Sequence, residues 1–163
     1  MIVVVMGVAG AGKTTVGRLL ARHLAARFAD ADDFHPPENV AKMRAGVALD
    51  DADRAPWLAR LNALVAASAA AGEPLVLACS ALKRAYRERL ADGVPGVRFV
   101  FLDGPRELLA RRLAGRTGHY MNPDLLDSQL ATLERPEGAI VLAIDAPPET
   151  IACRAFAALA AGG

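Results

Sequence analysis

The feature that most constrains this chain is a glycine-rich segment near its start. Residues 7–14 read Gly-Val-Ala-Gly-Ala-Gly-Lys-Thr, which fits the pattern G-x-x-x-x-G-K-[ST]. In this pattern, glycines let successive backbone N–H groups surround phosphate oxygens, while the lysine and the hydroxyl group address the terminal phosphates and Mg²⁺. The segment therefore predicts a loop that binds a nucleoside triphosphate.

The residues on either side of this loop support the same interpretation. Residues 1–6 are apolar and rich in β-branched side chains, as in a buried strand of a parallel sheet. After the loop, the helical spacing of Val16, Leu20 and Leu24 predicts a helix from about Lys13 to Arg27, whose positive dipole end would face a bound anion. We expect the loop to contact ATP through Gly7, Ala9, Gly10, Ala11, Gly12, Lys13, Thr14 and Thr15.

Length and composition predict a single domain spanning residues 1–163. Hydrophobic residues make up 53% of the chain but aromatic residues only 5%, so the core should consist of Ala, Val and Leu side chains. A net charge of +1 gives no overall attraction to nucleic acid or to a membrane, and we expect neither as a partner. The chain begins directly in an apolar strand without a basic leader, which favours a cytoplasmic location.

The two cysteines, Cys79 and Cys153, are far apart and lack the spacing of a metal site or a redox motif. We expect both to be reduced, small core residues.

Apolar runs and turn residues divide the whole chain into alternating strands and helices. Strands are predicted at residues 1–6, from residue 28, and at 75–79, 97–102 and 139–144. Helices are predicted at residues 13–27, 37–43, 51–71, 84–91, 105–113, 124–133 and 148–160. This alternation predicts a three-layer α/β fold, with a five-stranded parallel sheet between helices on both faces. The carboxyl ends of the strands would then form the ligand-binding edge.

Carboxylates follow the second predicted strand, where residues 28–35 turn from apolar to acidic. A kinase with this loop needs Mg²⁺ beside the triphosphate and a group that accepts the proton of the acceptor hydroxyl. The strand at residues 75–79 ends in Cys-Ser and offers no aspartate for the metal. We therefore assign Asp30, with Thr14, to Mg²⁺, and Asp32 to the acceptor hydroxyl, with Asp33 as the alternative. A solvated acidic turn remains the other interpretation.

A polar, glycine-flanked segment at residues 115–123 has the composition of a mobile lid. Arg116 is the candidate for an arginine that closes over the γ-phosphate. Arg112, just before the segment, could lie against the adenine ring, because a guanidinium group stacks well on aromatic rings. A solvated basic end of a helix would explain the same residues.

Basic residues elsewhere on the predicted ligand edge indicate an anionic acceptor. They are Arg54, Lys83, Arg84 and Arg87. Each of them alone could instead be an ordinary surface charge. His35 and His119 could donate hydrogen bonds to hydroxyl groups of a polyol, or could cap loops.

Several motifs together resemble the gluconate kinases, which are related to the shikimate kinases. The matching segments are residues 7–17, 30–36 (Asp-Ala-Asp-Asp-Phe-His-Pro), 39–43, 49–58 (which contains Asp-Arg-Ala-Pro-Trp-Leu), 78–87 (which contains Cys-Ser-Ala-Leu-Lys), 118–121 and 128–134. The resemblance implies ATP-dependent phosphorylation of the 6-hydroxyl of D-gluconate, the entry of gluconate into the pentose phosphate pathway. It also implies Mg²⁺ dependence, a mobile lid and a homodimer.

The resemblance also implies roles for individual residues. Catalysis would depend on Lys13, Asp32 and Arg116, and gluconate would contact Asp32, Asp33, His35, Arg54, Lys83, Arg87 and His119. Within that set, Arg54, Lys83 and Arg87 would hold the carboxylate of the sugar acid. Two alternatives stay open at this point: another small-metabolite kinase, such as a shikimate-type kinase, and a nucleotide-binding regulator.

Overall fold

The computed structural model of the protein describes residues 1–115 and 123–162, with five parallel strands at its centre. The strands are β1 (Ile2–Met6), β2 (Arg27–Asp30), β3 (Leu75–Ala78), β4 (Arg98–Asp103) and β5 (Ile140–Ala143). Their order across the sheet is β2-β3-β1-β4-β5, and the register pairs Val3 of β1 with Val76 on one side and Arg98 on the other. The prediction of a five-stranded parallel sheet is confirmed.

Helices cover both faces of this sheet, as the three-layer prediction required. They are α1 (Lys13–His23), α2 (Pro37–Arg44), α3 (Asp51–Ala70), α4 (Arg84–Ala91), α5 (Arg106–Ala114), α6 (Pro123–Thr132) and α7 (Pro148–Ala161). A short 3₁₀ turn at Ala31–Phe34 joins β2 to the segment before α2.

The two-residue period of a strand divides the core between the faces. Val3 and Val5 of β1 pack with buried residues of α1 and α7, such as Leu20 and Ile151. The alternate residues of β1 pack on the opposite face with α3 and α4, where Leu61 is fully buried. Both core clusters contain mainly Ala, Val and Leu, which agrees with the composition.

The first helix is shorter than its sequence pattern predicts. α1 ends at His23, and Ala25 adopts a left-handed backbone conformation with a φ of 48°. Glycine usually occupies such a position after a helix, so the alanine gave no signal of the helix end. Arg27, expected in the helix, instead begins β2 and donates a backbone hydrogen bond to Pro74.

The cysteine prediction is half right. Both thiols are free, and Cys79 is buried at the end of β3, where burial raises the pKa of its thiol to about 12. Cys153 is exposed on α7, so the expectation that it is a core residue is wrong.

Within residues 1–115 and 123–162, no helix combines the length and the apolar character needed to cross a bilayer.

Gly104 lies directly after β4, where it leaves space for a fully buried side chain. A Cβ atom at this position would lie 2.4 Å from Cγ1 of Ile144. We expect Gly104→Ala to lower the free energy of unfolding by about 1–3 kcal/mol, because overpacking displaces Ile144. Urea denaturation measures this loss. Gly115→Ala is the control, because its nearest atom would lie 3.5 Å away. Equal losses in the two variants would contradict the packing argument.

Candidate active site

The glycine-rich loop connects β1 to α1 and depends on backbone conformations that favour glycine. Gly10 and Gly12 have φ values of 84° and 91°. A Cβ atom on Gly10 would lie 3.0 Å from the backbone oxygen of Leu109, so this position also excludes a side chain for lack of space. The loop is closed by a hydrogen bond from the backbone N–H of Ala11 to the oxygen of Val8, and the ammonium group of Lys13 donates to the same oxygen at 3.1 Å.

The start of α1 is suited to an anion. Its N-cap residue is Gly12, which has no side chain to cap the N–H groups of the first turn. These groups have no partner within the helix, and the helix dipole favours negative charge beside them. Backbone N–H groups at the start of α1 are therefore suited to phosphate oxygens, whereas those of Ala9 and Ala11, which were also predicted to contact ATP, donate to Gln129 and Val8.

Thr14 and Asp30 meet beside this first turn. The hydroxyl group of Thr14 donates to Oδ2 of Asp30 at 2.7 Å, and Oδ1 of Asp30 accepts from the backbone N–H of Asp32 at 3.1 Å. β2 ends at Asp30, which brings the carboxylate to the carboxyl edge of the sheet. The structure thus brings together the two residues that the sequence assigned to the metal.

The chemistry of these two side chains fits Mg²⁺. A hydroxyl oxygen and a carboxylate oxygen are hard ligands of the kind that Mg²⁺ prefers. Within the described ranges, no group of three or more His, Cys, Asp or Glu side chains is placed to hold a metal. Mg²⁺ is usually bound by one or two protein groups together with phosphates and water.

Asp32 lies in the 3₁₀ turn after β2 and faces the same site. Its side chain reaches solvent, but the protein crowded around it partly desolvates the carboxylate, which raises its pKa. The charge of Asp30 raises this pKa further, while Lys13 and His35 oppose the shift. The charges of Asp30, Lys13 and His35 therefore all act on Asp32. Asp33, the alternative to Asp32, is exposed in the same turn.

His35 is held firmly beside the acidic turn. Its ring stacks on Trp57 with a centroid distance of 4.5 Å and an angle of 10°. Trp57 is itself fixed, because its indole N–H donates to the oxygen of Ala31 at 2.7 Å. Burial lowers the pKa of His35, Arg54 lowers it further and Asp32 opposes the shift. The charges of a carboxylate and of a guanidinium group thus both act on His35.

Two predicted acceptor residues meet at the beginnings of α3 and α4. Cζ of Arg54 lies 5.6 Å and Nζ of Lys83 lies 5.4 Å from the centre of the Tyr86 ring. The hydroxyl group of Tyr86 donates to Asp51 at 2.5 Å, and Lys83 forms an ion pair with Asp51 at 3.4 Å. Arg54 and Lys83 therefore form a cation pair beside Tyr86. Asp51 accepts a hydrogen bond from Tyr86 and forms an ion pair with Lys83.

Arg87 has surroundings that the sequence did not suggest. It is 8% exposed, and its guanidinium group donates to the backbone oxygens of Ala81 and Leu82 at 2.8 and 3.1 Å. It stabilises the turn between β3 and α4, where Ala81 has a φ of 46°. These backbone hydrogen bonds are not the predicted contact with the carboxylate of a sugar acid. That contact stays a prediction, and it would involve guanidinium nitrogens other than Nη1.

Arg112 lies between the phosphate-binding loop and the end of β5. Its guanidinium group donates to the oxygen of Ile144 and lies 4.0 Å from the position of a Cβ atom on Gly12. This places it on the side of the site where the chain leaves β5, and its predicted contact with adenine stays untested. Arg116 and His119, with most of the predicted lid, lie outside the described residues.

The sequence gave no role to Gln129, which contacts the phosphate-binding loop. Its Oε1 accepts from the backbone N–H of Ala9 at 2.7 Å, across 120 residues of sequence. Asn39 and Tyr86 were also missed as site residues. Gln129, Asn39 and Tyr86 are polar residues within the segments that resemble a known family, and this is the signal that could have identified them.

Comparisons with known proteins agree on one family. The AAA domain family matches residues 2–136. The chain is similar to the gluconokinase of Gluconobacter oxydans, at 53% identity over 82% of this chain and 75% of that protein. It is similar to the probable gluconokinase of Xenopus tropicalis, at 48% identity over 83% of this chain and 80% of the relative. A solved gluconokinase from Sinorhizobium meliloti has 44% identity and a TM-score of 0.89, covering 98% of this chain and 91% of that one.

The loop predicts a difference between two neighbouring substitutions. We expect Gly10→Ala to weaken binding of a Mg²⁺ complex of a non-hydrolysable ATP analogue by at least ~10-fold, because the methyl group strains the loop and meets Leu109. Ala9→Ser is the matched control and should change the affinity by less than about twofold, since residue 9 acts through its backbone. Isothermal titration calorimetry measures both. Equal affinities in the two variants would contradict this account of the loop.

Proposed function

This chain belongs to the gluconokinase family, and from that premise we propose that it transfers the γ-phosphoryl group of ATP to the 6-hydroxyl of D-gluconate. The product is 6-phospho-D-gluconate. One observation in the structure carries the proposal. The turn that carries Asp32 is bonded through Asp30 to Thr14 at the start of α1, and Arg54 and Lys83 both lie against Tyr86, so a carboxylate beside the phosphate-binding loop and a cation pair are both present for an acceptor.

Transfer of a phosphoryl group requires positioning and charge stabilisation more than covalent help from the protein. The backbone N–H groups of residues 12–15 and the ammonium group of Lys13 would bind the phosphates of ATP. Thr14 and Asp30 would hold Mg²⁺, which supplies positive charge to the phosphate oxygens when it is bound. These groups fix the γ-phosphate for attack by the hydroxyl.

Asp32 would orient the 6-hydroxyl and accept its proton. A raised pKa makes a carboxylate a stronger proton acceptor while it is still ionised at neutral pH. The turn that carries Asp32 is joined to the start of α1 through Asp30 and Thr14, which supports this role. Asp33, one residue further along the same turn, would contact the sugar acid.

The cation pair would bind the opposite end of the acceptor. Arg54 and Lys83 flank the Tyr86 ring and lie at the helix starts that face the sheet edge. Gluconate carries its carboxylate at one end of an open chain and the reacting hydroxyl at the other. A site with Asp32 for the hydroxyl end and the cation pair for the carboxylate end would therefore match gluconate. Arg87 would support this site through the turn that it stabilises.

The remaining roles rest on the family and on the sequence. Arg116 would stabilise charge on the γ-phosphate from the predicted lid at residues 115–123, His119 would contact the sugar acid, and Arg112 would lie along the adenine ring. We also propose that the enzyme is a homodimer and acts in the cytoplasm, where ATP is available.

Acceptor selectivity tests the proposed function. ADP release is measured in a coupled assay with Mg²⁺-ATP and either gluconate, shikimate or glucose. We expect kcat/KM to be at least ~100-fold higher for gluconate, because the site supplies polar partners for both ends of this acceptor. Glucose lacks the carboxylate and tests the cation pair. Equal turnover of shikimate would favour a shikimate-type kinase, and ADP release that ignores every acceptor would favour a nucleotide-binding regulator.

Substitution of two adjacent aspartates tests which of them accepts the proton. We expect Asp32→Asn to lower kcat by ~10²–10⁴-fold, because the amide cannot accept the proton of the hydroxyl. The affinity for ATP should be retained. Asp33→Asn makes the same chemical change one residue away and should lower kcat by less than about tenfold. Steady-state kinetics with gluconate measures both, and the reverse pattern would assign the role to Asp33.

A further inference from the structure

Asn39 is a buried polar residue beside the acceptor site, for which the proposed mechanism has no role. Its side chain is in α2, and the residue is 3% exposed. The amide nitrogen lies 2.9 Å from the backbone oxygen of Asp53 and 3.2 Å from Nδ1 of His35. One nitrogen therefore contacts a backbone carbonyl and an imidazole ring together.

The orientation of this amide follows from its carbonyl partner. A backbone oxygen can only accept a hydrogen bond, so the atom that faces it must be the NH₂ group and not the amide oxygen. Asp53 is well fixed, because its carboxylate accepts from the backbone N–H of Asp50 at 3.0 Å and from Lys42 at 2.8 Å. The second hydrogen of the same NH₂ group is then directed at Nδ1 of His35.

The direction of this hydrogen bond determines where His35 carries its hydrogen. An NH₂ group only donates, so Nδ1 must accept and carries no hydrogen. A neutral imidazole ring whose Nδ1 is bare carries its hydrogen on Nε2. A charged ring would set an N–H group against the NH₂ group, which agrees with the lowered pKa of His35.

The remaining nitrogen of the ring is available to a ligand. Stacking on Trp57 holds the plane of the imidazole, and the bond from Asn39 holds its rotation. Among the residues that the structure describes, none forms a hydrogen bond with Nε2 of His35. The charged groups coupled to the ring are Asp32 and Arg54, which are the two ends of the proposed acceptor site.

We propose that Asn39 is a positioning residue that holds His35 as the neutral tautomer with its hydrogen on Nε2. In this state His35 donates a hydrogen bond to a hydroxyl oxygen of the acceptor and does not accept a proton from it. This second part rests on the proposed function. The two residues then have different roles: Asp32 accepts the proton, and His35 fixes the position of the polyol.

The tautomer can be measured without any substrate. Long-range ¹H–¹⁵N spectra of the uniformly labelled protein at neutral pH distinguish a bare ring nitrogen from a protonated one. The chain has three histidines, and His35→Gln identifies the signals of His35 by their loss. We expect Nδ1 of His35 to have the shift of a bare nitrogen and Nε2 that of an N–H group. A hydrogen on Nδ1, or on both nitrogens, would overturn the inference.

Asn39→Asp tests the role of the amide. A carboxylate accepts from Nδ1–H, so we expect the hydrogen of His35 to move to Nδ1 and KM for gluconate to rise on the order of tenfold, with a smaller change in kcat. Asn62→Asp is the matched control, because Asn62 also donates to two backbone oxygens, those of Leu90 and Asp92. It should leave the His35 spectrum unchanged. An unchanged spectrum in folded Asn39→Asp would overturn the inference.

Two further outcomes separate this inference from the proposed function. If Asn39→Asp does not fold, Asn39→Ala removes the donor, and a mixture of His35 tautomers would support the inference while the wild-type tautomer would contradict it. A wild-type ring with its hydrogen on Nε2, in a protein that does not phosphorylate gluconate, would support the tautomer assignment and overturn the proposed function.

Discussion

The uncapped first turn of α1 is the constraint on which the site depends. Its N-cap residue, Gly12, offers no capping side chain, so the start of this helix is suited to a bound anion. The glycines before it can hold the required backbone conformations because they lack a Cβ atom, and Thr14 and Asp30 lie beside the same turn. The parallel sheet brings the carboxyl ends of β1 and β2 to the same edge, so the loop after β1 and Asp30 at the end of β2 meet there.

The acceptor side of the site is built by contacts between elements that are distant in sequence. Trp57 of α3 supports both the acidic turn and His35, while Asp51 and Tyr86 join the start of α3 to α4. A capping box of Asp50 and Asp53 fixes the start of α3, and Lys42 of α2 binds the same Asp53. The residues that would contact a sugar acid are thus positioned by neighbours that would not touch it.

The sequence predicted those features that depend on local patterns. The loop glycines with Lys13, the apolar strands and the pair Thr14 and Asp30 follow from spacing and from strand order. It did not predict the end of α1 at a left-handed Ala25, the burial of Arg87 or the exposure of Cys153, because each depends on packing between distant segments. The bonds of Gln129 and Asn39 were missed for the same reason, although both residues lie in motifs that resemble the family.

The pairing of Asp51 with Lys83 has a consequence for which anions suit the acceptor side. Arg54 and Lys83 contribute two positive charges and Asp51 one negative charge, so these three groups together retain a single positive charge. A monoanion neutralises that surplus, whereas a polyanion adds repulsion from Asp51 at close range. With Asp51 beside Lys83, this part of the surface is therefore better suited to a singly charged anion than to a polyanion.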